Sequence, residues 1–296
     1  MPLDLLGKIL ALLCALAWAT AVIFFKLAGD NVRPLVLNLY KTALTVTILF
    51  PVLLLTGIPL LPAALTGRQW LAIAASGILG IAVADTMFFA CLNRLGAGVT
   101  AIVDALYAPF VMTASWLVLG ENPRLEQVGG AALVITAVLV AAYHGGGVRP
   151  SGQILSGILY GAGAMVVMAV SIVLMRPVLR HAHVFWVTEL RMLAALLPLL
   201  ILFALQKERR RQLAPLWRKG SRGFAFAGAI LGNLISMTLW VSAFKYTSVN
   251  SAAVLNQTNT VFVVVLAALF LKDQFTRRRV LAMFLAVAGS LLVLLG

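Results

Sequence analysis

Charge is what this chain has least of. Only 11% of its 296 residues are Asp, Glu, Lys or Arg, against roughly 25% in soluble domains. That shortage, beside a hydrophobic content of 62%, excludes an ordinary soluble enzyme and a disordered chain. Cysteine is nearly missing as well. Cys14 and Cys91 both lie in apolar runs, which leaves no disulfide framework and no zinc site to read. The three histidines, His144, His181 and His183, fall at or beyond the ends of apolar runs. There is no His-Glu-x-x-His, no serine in a Gly-x-Ser-x-Gly turn and no glycine-rich phosphate loop ending in Gly-Lys-Ser/Thr, so metalloprotease, hydrolase and ATP-driven chemistries find no motif. No cofactor or metal is expected. Acidic residues number 9 against 23 basic ones, but the bases sit between hydrophobic runs, as topology signals do, and not on a soluble face that could meet nucleic acid.

What is present is a succession of apolar segments. At about 20 residues per membrane-spanning helix, ten spans fit the length. The uncharged runs and turn signals put them near 7–27, 33–56, 69–93, 98–119, 125–143, 153–176, 183–205, 222–245, 249–271 and 279–295. No segment shows the alternating polarity of barrel strands. The expected fold is an all-α polytopic membrane protein with the lipid bilayer as its surroundings and an oligomeric state left open, a monomer included. Ala19-Thr20-Ala21, after one lysine and an apolar run, also imitates a secretory cleavage site, but the spans that follow it argue against cleavage.

The segment His144-Gly145-Gly146-Gly147-Val148-Arg149-Pro150-Ser151-Gly152 divides the chain near its midpoint, and the halves align. At an offset of 150, Gly7 meets Gly157, Lys26 meets Arg176 and Lys41 meets Arg191. At an offset of 152, Ser76 and Gly80 meet Gly228 and Gly232, Phe88 meets Trp240, and Asp104 meets Asn256. This pattern predicts two repeats, 1–146 and 147–296. With an odd five spans each, they must be inserted in opposite senses, an arrangement in which secondary transporters form a site where the copies meet.

Polar residues inside spans are costly and face the bundle interior or a wet cavity. Lys41 and Arg191, one from each half, would favour an anionic group on a substrate; the alternative is that each snorkels to an interface or pairs with Glu189 or Asp85 as structural glue. Asn256-Gln257-Thr258-Asn259-Thr260 is a run of five polar residues within the ninth span; at 100° per residue it covers every azimuth of a helix. Its counterpart holds Asp104 and Tyr107. The expected substrate-binding set is Trp18, Lys41, Asp104, Tyr107, Glu189, Arg191, Trp240, Asn256, Gln257 and Asn259, with Asp85, Asp104 and Glu189 as proton-coupling candidates. A buried hydrogen-bond network is the alternative role for these side chains. Tyr160 is a further in-span aromatic, Trp70 and Trp186 read as interface anchors, Pro109, Pro177 and Pro198 as kinks or helix ends, and the Gly157/Gly161 and Gly228/Gly232 pairs as close helix contacts.

Asn38-Leu39-Tyr40-Lys41 and Glu189-Leu190-Arg191, Phe89-Ala90-Cys91-Leu92 leading through Ala97 to Ala101, and Trp116-Leu117-Val118-Leu119-Gly120-Glu121 closing the fourth span together resemble the drug/metabolite transporter superfamily, in particular its EamA-type ten-helix members. Lys41 stands where that family more often has Arg, and Lys272-Asp273 where Gly-Glu would recur. The inverted repeat and the paired in-span charges point to alternating-access transport of a small polar metabolite such as an amino acid or organic anion, with export across a bacterial inner (plasma) membrane expected; the resemblance itself says little about substrate. It implies termini on the inner side. The Lys/Arg count points the other way: the side holding the amino terminus carries 6 and the opposite side 15, of which one loop supplies 7. A lipid or lipid-phosphate flippase of the same fold is the nearest rival, an intramembrane enzyme a more distant one, and a channel is disfavoured by the internal duplication.

Overall fold

A computed structural model describes residues 3–28, 32–58, 65–119, 124–142, 151–179, 182–218, 220–272 and 276–295. Residues 144–150 of the glycine-rich segment, the Gly120-Glu121 end of the fourth span, and Asp273 lie outside the described residues.

The described residues are helical, with no strand among them. They form α1 (Leu3–Ala28), α2 (Pro34–Leu55), α3 (Gly67–Leu95), α4 (Ala97–Asp104), α5 (Tyr107–Leu119), α6 (Leu125–Ala142), α7 (Ser151–Leu179), α8 (Val184–Ala204), the short α9 (Arg209–Leu213), α10 (Ser221–Tyr246), α11 (Val249–Asn256), α12 (Asn259–Leu271) and α13 (Arg277–Leu295). Seven helical stretches are long and apolar enough to cross a membrane, and three shorter apolar ones lie at Leu125–Ala141, Asn259–Leu271 and Val280–Leu292. Local sequence sets several ends. Thr66 and Gln69 form a reciprocal cap at the start of α3. Gly96, at φ 80°, stops that helix in a conformation a side chain would strain.

Two helices depart from α geometry at related positions. Ile78–Ala84 within α3 and Ala229–Ser236 within α10 are π-helical, so the backbone there is wider and its carbonyl pattern is shifted. Such bulges recur at functional sites. Asn38 of α2 donates to the Ile81 carbonyl at 2.6 Å and to the Thr86 hydroxyl at 2.9 Å, which satisfies polar atoms that lipid could not.

The fourth span, where Pro109 marks a kink or helix end, and the ninth, expected to be continuous, are each interrupted midway, at 105–106 and 257–258. Pro109 has no N–H to give the Ala105 carbonyl, which instead accepts from Ala108 N at 3.3 Å. The second break has no proline. There the hydroxyl of Thr258 bonds the Leu255 carbonyl at 2.8 Å, and the backbone tightens to i→i+3 bonds from Thr258 and Thr260.

Packing is reciprocal between the halves. α1 lies against α10 and α12, and its counterpart α7 lies against α3 and α5. α2 touches the π segment of α10, α8 touches that of α3, α2 packs on α8, and α6 packs on α13. Small residues make these approaches close, as expected where hydrophobicity gives no drive between helices. A Cβ on Gly157 would meet Leu95, one on Gly161 would meet Val103 and Cys91, and Gly228 and Gly232 lie against Phe25 and Ala21. At Gly289 a Cβ would come within 2.6 Å of the Gly130 carbonyl.

Candidate functional site

The two helix breaks and the two π segments converge on one cavity. Its wall takes Cys14 and Trp18 from α1, Asp85 and Phe88 from α3, Asp104 and Tyr107 from the first break, and Asn256, Gln257 and Asn259 from the second. Gly232, Ser236, Met237 and Trp240 of α10 and Met165 and Met168 of α7 close it. Both halves therefore contribute, and the helix interruptions turn side chains of successive residues toward the same space.

Of the residues anticipated from sequence, Trp18, Asp85, Asp104, Tyr107, Trp240, Asn256, Gln257 and Asn259 line this cavity. Lys41, Glu189 and Arg191 do not. Lys41 is fully buried, its Nζ 2.6 Å from Asp85 Oδ2 and 2.8 Å from Asn233 Oδ1. Asn233 is fixed in turn by bonds to the Lys41 carbonyl at 3.3 Å and the Thr45 hydroxyl at 3.0 Å. This is the pairing with Asp85 weighed above, and it holds Lys41 inside the bundle.

Arg191 is equally buried, but its surroundings differ. Nη2 donates to Ser171 Oγ at 3.1 Å, Nη1 reaches Met237 Sδ at 3.8 Å, and the guanidinium lies 5.2 Å from the centroid of the Trp240 ring. Nε has no partner. Among the described residues no carboxylate forms an ion pair with it. Ser171 is positioned by Ser76, whose carbonyl it bonds at 2.8 Å. Gly77 brings α3 against the Arg191 backbone, leaving no room for a Cβ. Glu189 is buried with both carboxyl oxygens unpartnered; it and Arg191 are two residues apart and do not share a helix face.

In the polar run, Asn259 donates to Asp104 Oδ2 at 2.9 Å and Thr260 donates to the Ala101 carbonyl at 3.0 Å, joining the two breaks directly. Asn256 Oδ1 and Gln257 Oε1 are buried without a donor. Tyr160 lies outside the cavity, under the guanidinium of Arg94 at 4.5 Å. Trp70 and Trp186 pack edge-on at 5.1 Å, so Trp186, buried at 4% exposure, packs against a neighbouring helix as well as lying near a span end.

Asn233, Ser171, Ser236 and Met237 were not singled out in sequence. Asn233 could have been found, since an amide within a span meets the same cost argument as Lys41. Met237 could have been found from the repeat, because at an offset of 152 it occupies the position of Asp85.

Comparison with known proteins agrees with this architecture. The chain is 25% identical over 291 residues to an uncharacterised transporter of Archaeoglobus fulgidus, covering 98% of this chain and 99% of that one. A solved crystal structure superposes with a TM-score of 0.74 at 19% identity, over 99% of this chain and 97% of the other, which establishes likeness of fold. The description of the EamA-like transporter family matches twice, over residues 5–143 and again over 155–295. A multi-pass membrane chain built in this way, matched along nearly its whole length, belongs to the EamA-like transporter family.

Proposed function

We propose that this membrane transporter is a secondary active carrier that moves a small polar metabolite, such as an amino acid or organic acid, out across a bacterial inner (plasma) membrane by alternating access. In this reading residues 1–146 and 147–296 are five-helix copies inserted in opposite senses, ten spans in all. They rock about the shared cavity and expose it to one side at a time. The reciprocal packing, the π segments at related positions and the double family match support the two-copy reading.

One observation carries the functional reading: interrupted helices from both halves aim polar side chains, Asp104 and Asn256 foremost, into a single cavity bordered by Trp18 and Trp240. Irregular backbone at membrane depth is tolerated where it lines such a space. Proton coupling would fall to Asp104 and Glu189, because Asp85 is committed to Lys41.

The test is counterflow in sealed proteoliposomes loaded with labelled amino acids and small organic acids, with and without a pH gradient. Saturable flux that Asp104→Asn abolishes, and whose response to the gradient Glu189→Gln removes, is the expected outcome. Solute flux that never saturates and ignores Asp104→Asn would overturn the carrier reading. So would scrambling of labelled phospholipid with no solute flux, which would assign the flippase role.

A further inference from the structure

Taken as a repeat-related pair, Lys41 and Arg191 point to an acidic substrate. Their positions point elsewhere. Neither lines the cavity. Lys41 is already neutralised by Asp85 at 2.6 Å, and Arg191 lies behind Trp240, engaged with Ser171 and Met237.

The charged groups that do reach the wall are both carboxylates, Asp85 and Asp104. Asp85 has its ammonium partner. Asp104 has only an amide: Asn259 donates to Oδ2 at 2.9 Å, and among the described residues no hydrogen bond reaches Oδ1. Asn256, Gln257 and Tyr107 also border the cavity, where Asn256 Oδ1, Gln257 Oε1 and the Tyr107 hydroxyl are buried without a hydrogen-bond partner. A carbonyl or carboxylate oxygen can only accept, and a buried acceptor without a donor is unfavourable. Among the described residues the wall carries two carboxylates and no cation. Facing these acceptors are the rings of Trp18 and Phe88, 5.4 Å apart, and that of Tyr107; aromatic faces attract cations.

We propose that the cavity recognises a primary ammonium group. Asp104 acts as its counter-ion, its Oδ1 accepting an N–H bond, and Trp18 and Phe88 receive the adjoining carbon chain. This rests on the carrier reading of the same cavity and narrows its substrate to amines and amino acids, with organic anions excluded. In an amino acid the carboxylate would be a second, separately recognised group.

The experiment is titration of the purified full chain in detergent with n-butylammonium, phenethylammonium, valine, tetramethylammonium and butyrate, followed by calorimetry and by the shift in melting temperature. One or both primary ammonium ions bind, and butyrate does not. Tetramethylammonium, which has charge but no N–H, binds at least tenfold more weakly than the better of them. Valine binding beside the amines identifies amino acids as substrates; amines alone identify free amines. Asp104→Asn weakens binding at least tenfold, and Trp18→Leu, which leaves every charge in place, weakens it several-fold. The unliganded melting temperatures of both variants report whether each has folded.

Butyrate binding that Arg191→Met removes would overturn the proposal while leaving the carrier intact. An absence of binding by every ammonium probe would overturn it as well, and saturable counterflow of another solute would then show that the carrier reading survives. Ammonium binding unaffected in folded Asp104→Asn and Trp18→Leu proteins would remove the site from this cavity.

Discussion

Lys41 and Arg191 hold corresponding places in the two halves and meet opposite fates. In the first half Asp85 stands beside the cation and neutralises it; in the second Met237 holds the place of Asp85, and the guanidinium rests on sulfur, a hydroxyl and an indole face. The same contrast runs through the breaks of the fourth and ninth spans, one made by Pro109 and the other by a run of Asn, Gln and Thr. Related backbone geometry in the two halves carries different side-chain chemistry at these positions. The helix pattern is repeated, and the side chains on it are not.

The contrast can be broken most forcefully at Lys41. Lys41→Met leaves Asp85 buried without its cation, a loss of about 3–5 kcal/mol for one partner of a buried pair. Replacing both in Lys41→Met/Asp85→Leu should return most of that stability, as read by thermal unfolding in detergent. A single variant as stable as the wild type would show that the pair contributes little.

Gly77→Ala comes next. The new Cβ meets the Arg191 backbone, and overpacking of this kind costs about 1–3 kcal/mol. The counterpart position already carries a methyl group as Ala229, so Ala229→Gly should cost no more than the roughly 1 kcal/mol of a glycine in a helix. Equal losses at the two sites would erase the asymmetry.

Arg191→Met should be milder than Lys41→Met, on the order of 1 kcal/mol, because it strips no ion-pair partner and removes mainly a hydrogen bond and a contact with an aromatic face. A loss as large as that of Lys41→Met would mean that a carboxylate does depend on it.

The smallest effect belongs to the helix starts. Arg33 and His183 occupy the same position before α2 and α8. Burial, and then the neighbouring Lys245 ammonium, hold the His183 imidazole below the usual histidine range. The unfolded chain takes up that proton near pH 6.5 and the folded chain only at lower pH. Stability is therefore complete above the unfolded value and declines as pH falls through the folded one. A slight drop in melting temperature between pH 7 and 5, absent in His183→Gln, is the expected reading; an unchanged drop would place the titration elsewhere.

Sequence carried the helical class and the approximate span ends, because continuous apolar runs of about 20 residues have few other uses. It also singled out Asp104, Asn256, Gln257 and Asn259, since polar atoms at that depth must face one another or water. It gave the first interruption only as a kink or helix end at Pro109, and it did not give the second, which depends on where a bonding hydroxyl loosens one turn. Nor did it give the π segments, whose residues Ile78–Ala84 read as ordinary apolar helix. The separation of Lys41 and Arg191 from the cavity wall was hidden for a different reason: depth along a helix is legible from spacing, whereas the partner across the bundle is decided by residues such as Asn233, 192 positions away.

Cys14 lies on the cavity wall, its sulfur 3.4 Å from the Ser236 hydroxyl, while Cys91 is sealed between helices beside Thr100 and Gly161. The molecule thus carries its own reporter and its own silent control. If the carrier alternates as proposed, a small thiol-reactive label supplied from one side can tag Cys14 only during intervals when that side is open. The tagging rate, compared between inside-out and right-side-out vesicles, becomes a clock for the gate without any engineered residue.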